Sequence, residues 1–184
     1  MKLSKISQIA IYSILMSKIV FATTNKVPVL IDAKLTSPAI EQLKNSIGDP
    51  LYSIDYLKNS DGGHSTITYG ATSQEYDKLK PNLTNTFKVE VNEYCWSDSF
   101  QVEAALATVY NENNTEVIGN DPFQHVTLSF ANNRHAVDSN YLFECSSSEY
   151  ANYPYCQQNN LHITDLKCKT LDKTLILDAV LEEK

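Results

Sequence analysis

Arginine is nearly absent: Arg134 stands alone in 184 residues. A surface that grips long nucleic acid neutralises many phosphates with Lys and Arg. At a formal net charge of −7 this chain offers no long nucleic-acid groove, leaving room for a small nucleotide or a single RNA end. Long apolar runs are missing after the first segment, so nothing beyond it reads as a membrane-spanning helix. No Cys-x-x-Cys occurs and the cysteine spacings are irregular, which disfavours zinc. His-x-His, His-Glu-x-x-His and clustered carboxylates are lacking too. Chemistry would therefore rest on side-chain protons, with no metal and no cofactor. Neither a long repeat nor a linker divides the chain.

What is present begins with Lys2 and Lys5, then an apolar run through "IAIYSILM" and the segment "SKIVFA", with Val20 and Ala22 at the positions a signal peptidase reads. That layout predicts a signal peptide over residues 1–22, removed after Ala22. Lys18, near the end of the apolar region, leaves an uncleaved anchor as the other reading. The remaining Thr23–Lys184, 162 residues (184 less 22), suffice for one domain, 23–184. Cleavage removes three lysines and no acid, so the charge falls from −7 to −10. A secreted monomer without stable membrane association is expected. Cys95, Cys145, Cys156 and Cys168 then read as two disulfides, for which three pairings exist. The reading adopted is Cys145–Cys156 as a local staple and Cys95–Cys168 joining distant segments. Sequons at Asn82 ("NLT") and Asn113 ("NNT") fit a eukaryotic secretory route.

The pattern of elements is α+β. "VPVLIDAKL" is β-rich, and Ser37 is expected to cap a helix with Pro38 at its first position. Ile40, Leu43 and Ile47 line one face of that helix and "GDP" stops it. "LYSIDYL" reads as a short strand and "NSDGG" as a turn delivering His64. Thr72 and Glu75 make a capping box for a short helix. "FKVEVNEYCW" and "FQVEAALATVY" alternate with period two and pair through "SDS". Residues 131–160 hold a short helix and a loop pinned by cysteines. "LHITDLKCK" and "TLILDAVLE" read as two closing strands around an "LDK" turn.

Two units within this pattern carry chemistry. "HSTITYG" and "QHVTLSF" each put a histidine and a threonine two residues apart in a strand, 61 residues from one another. Side chains two apart leave a strand on one face, so His64 with Thr66, and His125 with Thr127, would converge if the strands lie side by side. One neutral imidazole can then take a proton from water while a protonated one donates to a leaving oxygen. The threonine hydroxyls can hold phosphate oxygens. A third His-x-Thr, at His162 and Thr164, marks how easily the tripeptide arises and is read as structural. Arg134 and His135, just after the second unit, read as a solvated helix start.

"HSTI" and "HVTL" resemble the paired H-x-[ST]-h motifs of the 2H phosphoesterase superfamily, in particular the cyclic phosphodiesterase domain of fungal-type tRNA ligases and 2′,3′-cyclic nucleotide 3′-phosphodiesterases. The order of elements follows over most of Val27–Glu183. The resemblance implies two lobes of antiparallel sheet with flanking helices and a central cleft. It also implies hydrolysis of a 2′,3′-cyclic phosphate, on an RNA end or a cyclic nucleotide, to a 2′-phosphate. His64 and His125 become the acid–base pair, and Thr66 and Thr127 the phosphate-binding hydroxyls; His125 is read here as the base and His64 as the acid, an order the sequence does not fix. A base-stacking aromatic would be Tyr69, Trp96 or Phe130. Two other readings remain: the same fold acting on 2′,5′-linked or other small phosphoesters, and a secreted binding protein without catalysis.

Overall fold

The computed structural model describes residues 30–120 and 122–184. The expected signal peptide lies outside them. Seven strands pair antiparallel: β1 (Leu30–Leu35), β2 (Ile54–Asp55), β3 (His64–Tyr69), β4 (Thr86–Ser97), β5 (Val102–Tyr110), β6 (His125–Phe130) and β7 (Leu166–Glu183). Their order is β2-β6-β3-β1-β7-β4-β5, and a further pairing of β6 with β5 closes the sheet on itself. Closure removes the free edges that an open sheet would present. The α+β class holds. The strand pairing draws one closed barrel rather than two separate sheets.

Among the described residues four short α-helices decorate it: α1 (Ser37–Ile47), α2 (Ser73–Leu79), α3 (Asp138–Glu144) and α4 (Pro154–Gln158). Thr36, not Ser37, caps α1, accepting from the Ala39 amide. Both residues carry a hydroxyl, and starting the helix at Ser37 puts Pro38 one position further in. Ala39 and Leu43 are buried on its inner face, and Gly48 follows its last residue. Burying Leu43 alone contributes about 2 kcal/mol. The capping box of Thr72 and Glu75 forms on α2 as expected.

Two further expectations need correction. "LYSIDYL" forms only the two-residue β2 before a 3₁₀ turn over Tyr56–Lys58. The closing segment is a single long β7, which pairs with β4 in two registers, Glu93 opposite Thr170 and Val91 opposite Leu175. "LDK" is thus an excursion within one strand, opposite an irregularity of β4 between Val91 and Glu93, and β4 pairs with both halves of β7 on either side of it. "LHIT" precedes β7 and is not a strand.

The core falls into two clusters. One gathers Ile31, Ile67, Val89, Leu177 and their neighbours under α1. The other gathers Phe100 and Val102 with Leu142 and Phe143 of α3. Cys95–Cys168 bridges directly opposed residues of β4 and β7, and Cys145–Cys156 ties the end of α3 to α4. Both expected pairings form, and no described cysteine is free.

Candidate functional site

The histidine units occupy β3 and β6, and the two strands lie side by side. Ser65 is the Cα partner of Val126 in an antiparallel pair. That register sets His64 beside Thr127 and Thr66 beside His125, each histidine next to the other unit's threonine. All four side chains line one cleft of about 320 Å³.

On the β3 side, the turn before His64 is tightly built. Gly63 has φ +66°, a left-handed conformation that favours glycine. A side chain at Gly62 would strike the Tyr56 carbonyl oxygen at 1.8 Å. Lys34 of β1 donates to the carbonyls of Ser60 and Gly62 and pins the turn from beneath. His64 Nδ1 lies 2.7 Å from the Asp61 carbonyl oxygen, so it carries the hydrogen. Nε2 lies 3.7 Å from Asp32 Oδ2. Asp32 is fully buried, accepts from Thr66 Oγ1 at 3.0 Å and faces Lys184 Nζ at 3.2 Å. Burial pushes the His64 imidazole below its ordinary value, the Asp32 carboxylate opposes that, and Lys184 and Lys34 reinforce it.

On the β6 side, His125 and Thr127 are buried, and a residue of α3 joins them. Ser139 Oγ is 2.8 Å from His125 Nε2, 2.7 Å from Thr127 Oγ1 and 2.6 Å from the Ala136 carbonyl oxygen. His125 Nδ1 is 2.6 Å from the Phe123 carbonyl oxygen, and the ring packs against Phe143 with centroids 5.6 Å apart. Leu30, Ala136 and Val137 supply the apolar part of the cleft wall, and Tyr69 stands at its rim with 77% of its surface exposed. Asn120 clamps the Tyr69 backbone, accepting from its amide and donating to its carbonyl.

The structure brings His64, Thr66, His125 and Thr127 together and leaves other histidines apart. His162 lies in the loop before β7, stacked on Tyr150 at 3.9 Å, and does not line the cleft. His135 is exposed, and Arg134 sits over the Phe100 ring at 4.1 Å. Of the three aromatics considered for base stacking, Tyr69 lines the cleft, whereas Phe130 is buried and Trp96 packs on Tyr94. Asn113 is exposed and Asn82 half-buried. A larger groove of about 580 Å³ opens over β4 and β5, but Glu90, Glu93 and Glu116 line it and would repel a phosphate. Glu93, Cys95 and Cys168 bring metal-donor atom types together, yet both sulfurs belong to a disulfide. Among the described residues no helix is long and apolar enough to cross a membrane.

Sequence reasoning missed Asp32, Lys34, Lys184 and Ser139. Asp32 had a signal, since a carboxylate between Ile31 and Ala33 in a β-rich run is unusual. Ser139 had none, because only the packing of α3 over β6 brings it in.

No protein-family model matches the chain, and no curated protein matches it. Among solved structures, the crystal structure of a fungal RNA kinase aligns with 86% of this chain at 15% sequence identity and a TM-score of 0.51. The chain spans 46% of that protein's length. The motifs pointed to a domain of fungal RNA enzymes, and the likeness found is of that kind at the level of fold.

Proposed function

We propose that this protein is a metal-independent phosphodiesterase that opens 2′,3′-cyclic phosphates, on RNA ends or free nucleotides, to 2′-phosphates. The observation that carries the reading is the antiparallel Ser65–Val126 pair, which sets two imidazoles and two hydroxyls around one cleft. One neutral imidazole takes a proton from water as its oxygen attacks phosphorus. The other, protonated, gives a proton to the departing ester oxygen. Thr66 now donates to Asp32 and Thr127 contacts Ser139. A phosphate oxygen would take over these hydroxyls and hold the phosphorus in line. Lys184 and Lys34 add positive charge near a singly charged substrate. Tyr69, exposed at the rim on a clamped backbone, offers a face on which a base can stack. The fold likeness to an RNA enzyme agrees with a nucleotide ligand.

The two lobes that the family resemblance implies would divide between the two apolar clusters, Ile67 of β3 with Val126 and Leu128 of β6 in one, and Phe143, which packs on His125, in the other. Two disulfides suit an oxidising compartment, in line with secretion, and exposed Asn113 is open to glycosylation.

The test is incubation of purified protein with the 2′,3′-cyclic nucleotides and a cyclic-phosphate-ended RNA, with products resolved against 2′- and 3′-phosphate standards. Formation of 2′-phosphates, unaffected by chelator, is expected. Absence of turnover on every substrate sinks the reading, and loss on chelation restored by a divalent metal overturns the mechanism.

A further inference from the structure

The hydrogen bonds around Ser139 can be counted proton by proton. A carbonyl oxygen carries no hydrogen. Phe123 O, 2.6 Å from His125 Nδ1, therefore receives an Nδ1–H. Ala136 O, 2.6 Å from Ser139 Oγ, receives the single hydroxyl hydrogen of Ser139. Ser139 Oγ is then an acceptor towards both other neighbours, Thr127 Oγ1 at 2.7 Å and His125 Nε2 at 2.8 Å. Thr127 supplies its own hydroxyl hydrogen. Nε2 must carry one as well. Four contacts need four hydrogens; a neutral imidazole and two hydroxyls bring three, and the imidazolium brings the fourth. An unfilled contact at these distances would set lone pair against lone pair in a buried site, where it is costly.

We propose that Ser139 is a positioning residue that holds His125 as the imidazolium, making His125 the general acid and His64 the general base. This rests on the phosphodiesterase reading and takes, of the two orders the sequence leaves open, the one with His125 as the acid. His64 fits the complementary role. Its Nδ1–H goes to Asp61 O, and its Nε2 is beyond hydrogen-bond reach of Asp32 Oδ2, so the neutral ring keeps a lone pair for water. Burial favours that neutral form, and the Asp32 carboxylate stabilises the imidazolium once a proton arrives.

The step balances. A water proton passes to His64 Nε2, the water oxygen bonds to phosphorus, and the bond from phosphorus to the leaving ester oxygen breaks. His125 Nε2–H lets go of Ser139 and protonates that oxygen, and the two rings then exchange protons with solvent. Among the described residues, the titratable groups on the elements beside His125 include His64 of β3, which lines the same cleft, Glu103 of β5 and Asp138 of α3. Glu103 is bound to Ser129, and Asp138 accepts from the His135 amide.

The test is a histidine side-chain titration by ¹⁵N NMR on uniformly labelled protein without substrate. His125 is expected to show both ring nitrogens protonated at neutral pH and to lose its proton at higher pH than His64. Ser139→Ala should lower that midpoint and shift the alkaline limb of kcat/KM the same way, cutting activity at the alkaline edge by about tenfold. A neutral His125 at pH 7 in the unmodified protein overturns the proposal, as does an alkaline limb unmoved by Ser139→Ala. The titration needs neither turnover nor a stable variant. A protonated His125 in a protein that turns over no cyclic phosphate would instead sink the proposed function and leave the proton assignment standing.

Discussion

Replacing Asp32 with Asn probes the His64 half of the cleft at its centre. The carboxylate is fully buried, 3.2 Å from Lys184 Nζ, 3.7 Å from His64 Nε2 and 3.0 Å from the Thr66 hydroxyl. A unit charge pair about 4 Å apart is worth about 4 kcal/mol at an effective dielectric near 20. Breaking a fully buried pair costs about 3–5 kcal/mol. Here Lys184 keeps 30% of its side chain exposed, so solvent screens part of the attraction. Asn also keeps an acceptor for Thr66. The expected loss is about 2 kcal/mol, or roughly 4–8 °C in Tm for a chain of this size. Asp32→Leu removes the acceptor too and should cost about 1 kcal/mol more. Function follows the same charge. Asp32 opposes the effect of burial on His64, so its neutralisation lowers the proton affinity of that imidazole further. The limb of the pH–rate profile belonging to His64 then moves to lower pH. Urea denaturation and kcat/KM against pH are the assays. An Asp32→Asn protein as stable as the parent, with an unmoved profile, would refute this reasoning.

The remaining predictions concern the decoy motif, the disulfides and acid stability. His64→Ala and His125→Ala should each slow cyclic-phosphate turnover by about 100-fold or more, Thr66→Ala and Thr127→Ala by less, while His162→Ala, outside the cleft, stays near normal. Steady-state kinetics on variants with unchanged circular dichroism decide this, and an inactive His162→Ala would move the site elsewhere. Replacing both cysteines of Cys95–Cys168 opens a 73-residue loop, against 11 residues for Cys145–Cys156. Loop entropy puts the losses at about 4 and about 3 kcal/mol, and urea midpoints in the opposite order would contradict that account. The Ser97 hydroxyl, then the Ser99 amide and hydroxyl, hold the Asp165 carboxyl at about 2 against an ordinary 3.8. Its contribution is therefore full above the ordinary value and lost as pH falls through about 2. Asp165→Asn should flatten the acid limb of Tm in that window, and parallel limbs would count against it.

Much of the fold was legible because it is local. Period-two alternation marked β4 and β5, β-rich and β-branched runs marked β1, β3 and β6, and a hydroxyl three residues before a glutamate marked the start of α2. The cysteine pairing needed a choice among three, and Cys145–Cys156 was the close one. The cap of α1 slipped by one residue because Thr36 and Ser37 offer the same hydroxyl. The turn expected at "LDK" proved an excursion within β7, since the pairing that continues on both sides of it comes from β4, dozens of residues away.

Both histidine units could be picked out by pattern, and the convergence of their side chains could be stated as a condition. Whether the condition holds depends on the Ser65–Val126 register, and a slip of one residue would turn every side chain of one unit to the other face. That register follows from closing the barrel, which no single segment encodes. Asp32, Lys34 and Lys184 reach the site across strands β1 and β7, and Ser139 reaches it from α3. Their hydrogen bonds and charges act only over a few ångströms, so the sequence supplied the acid–base groups while tertiary packing alone decided what surrounds each of them.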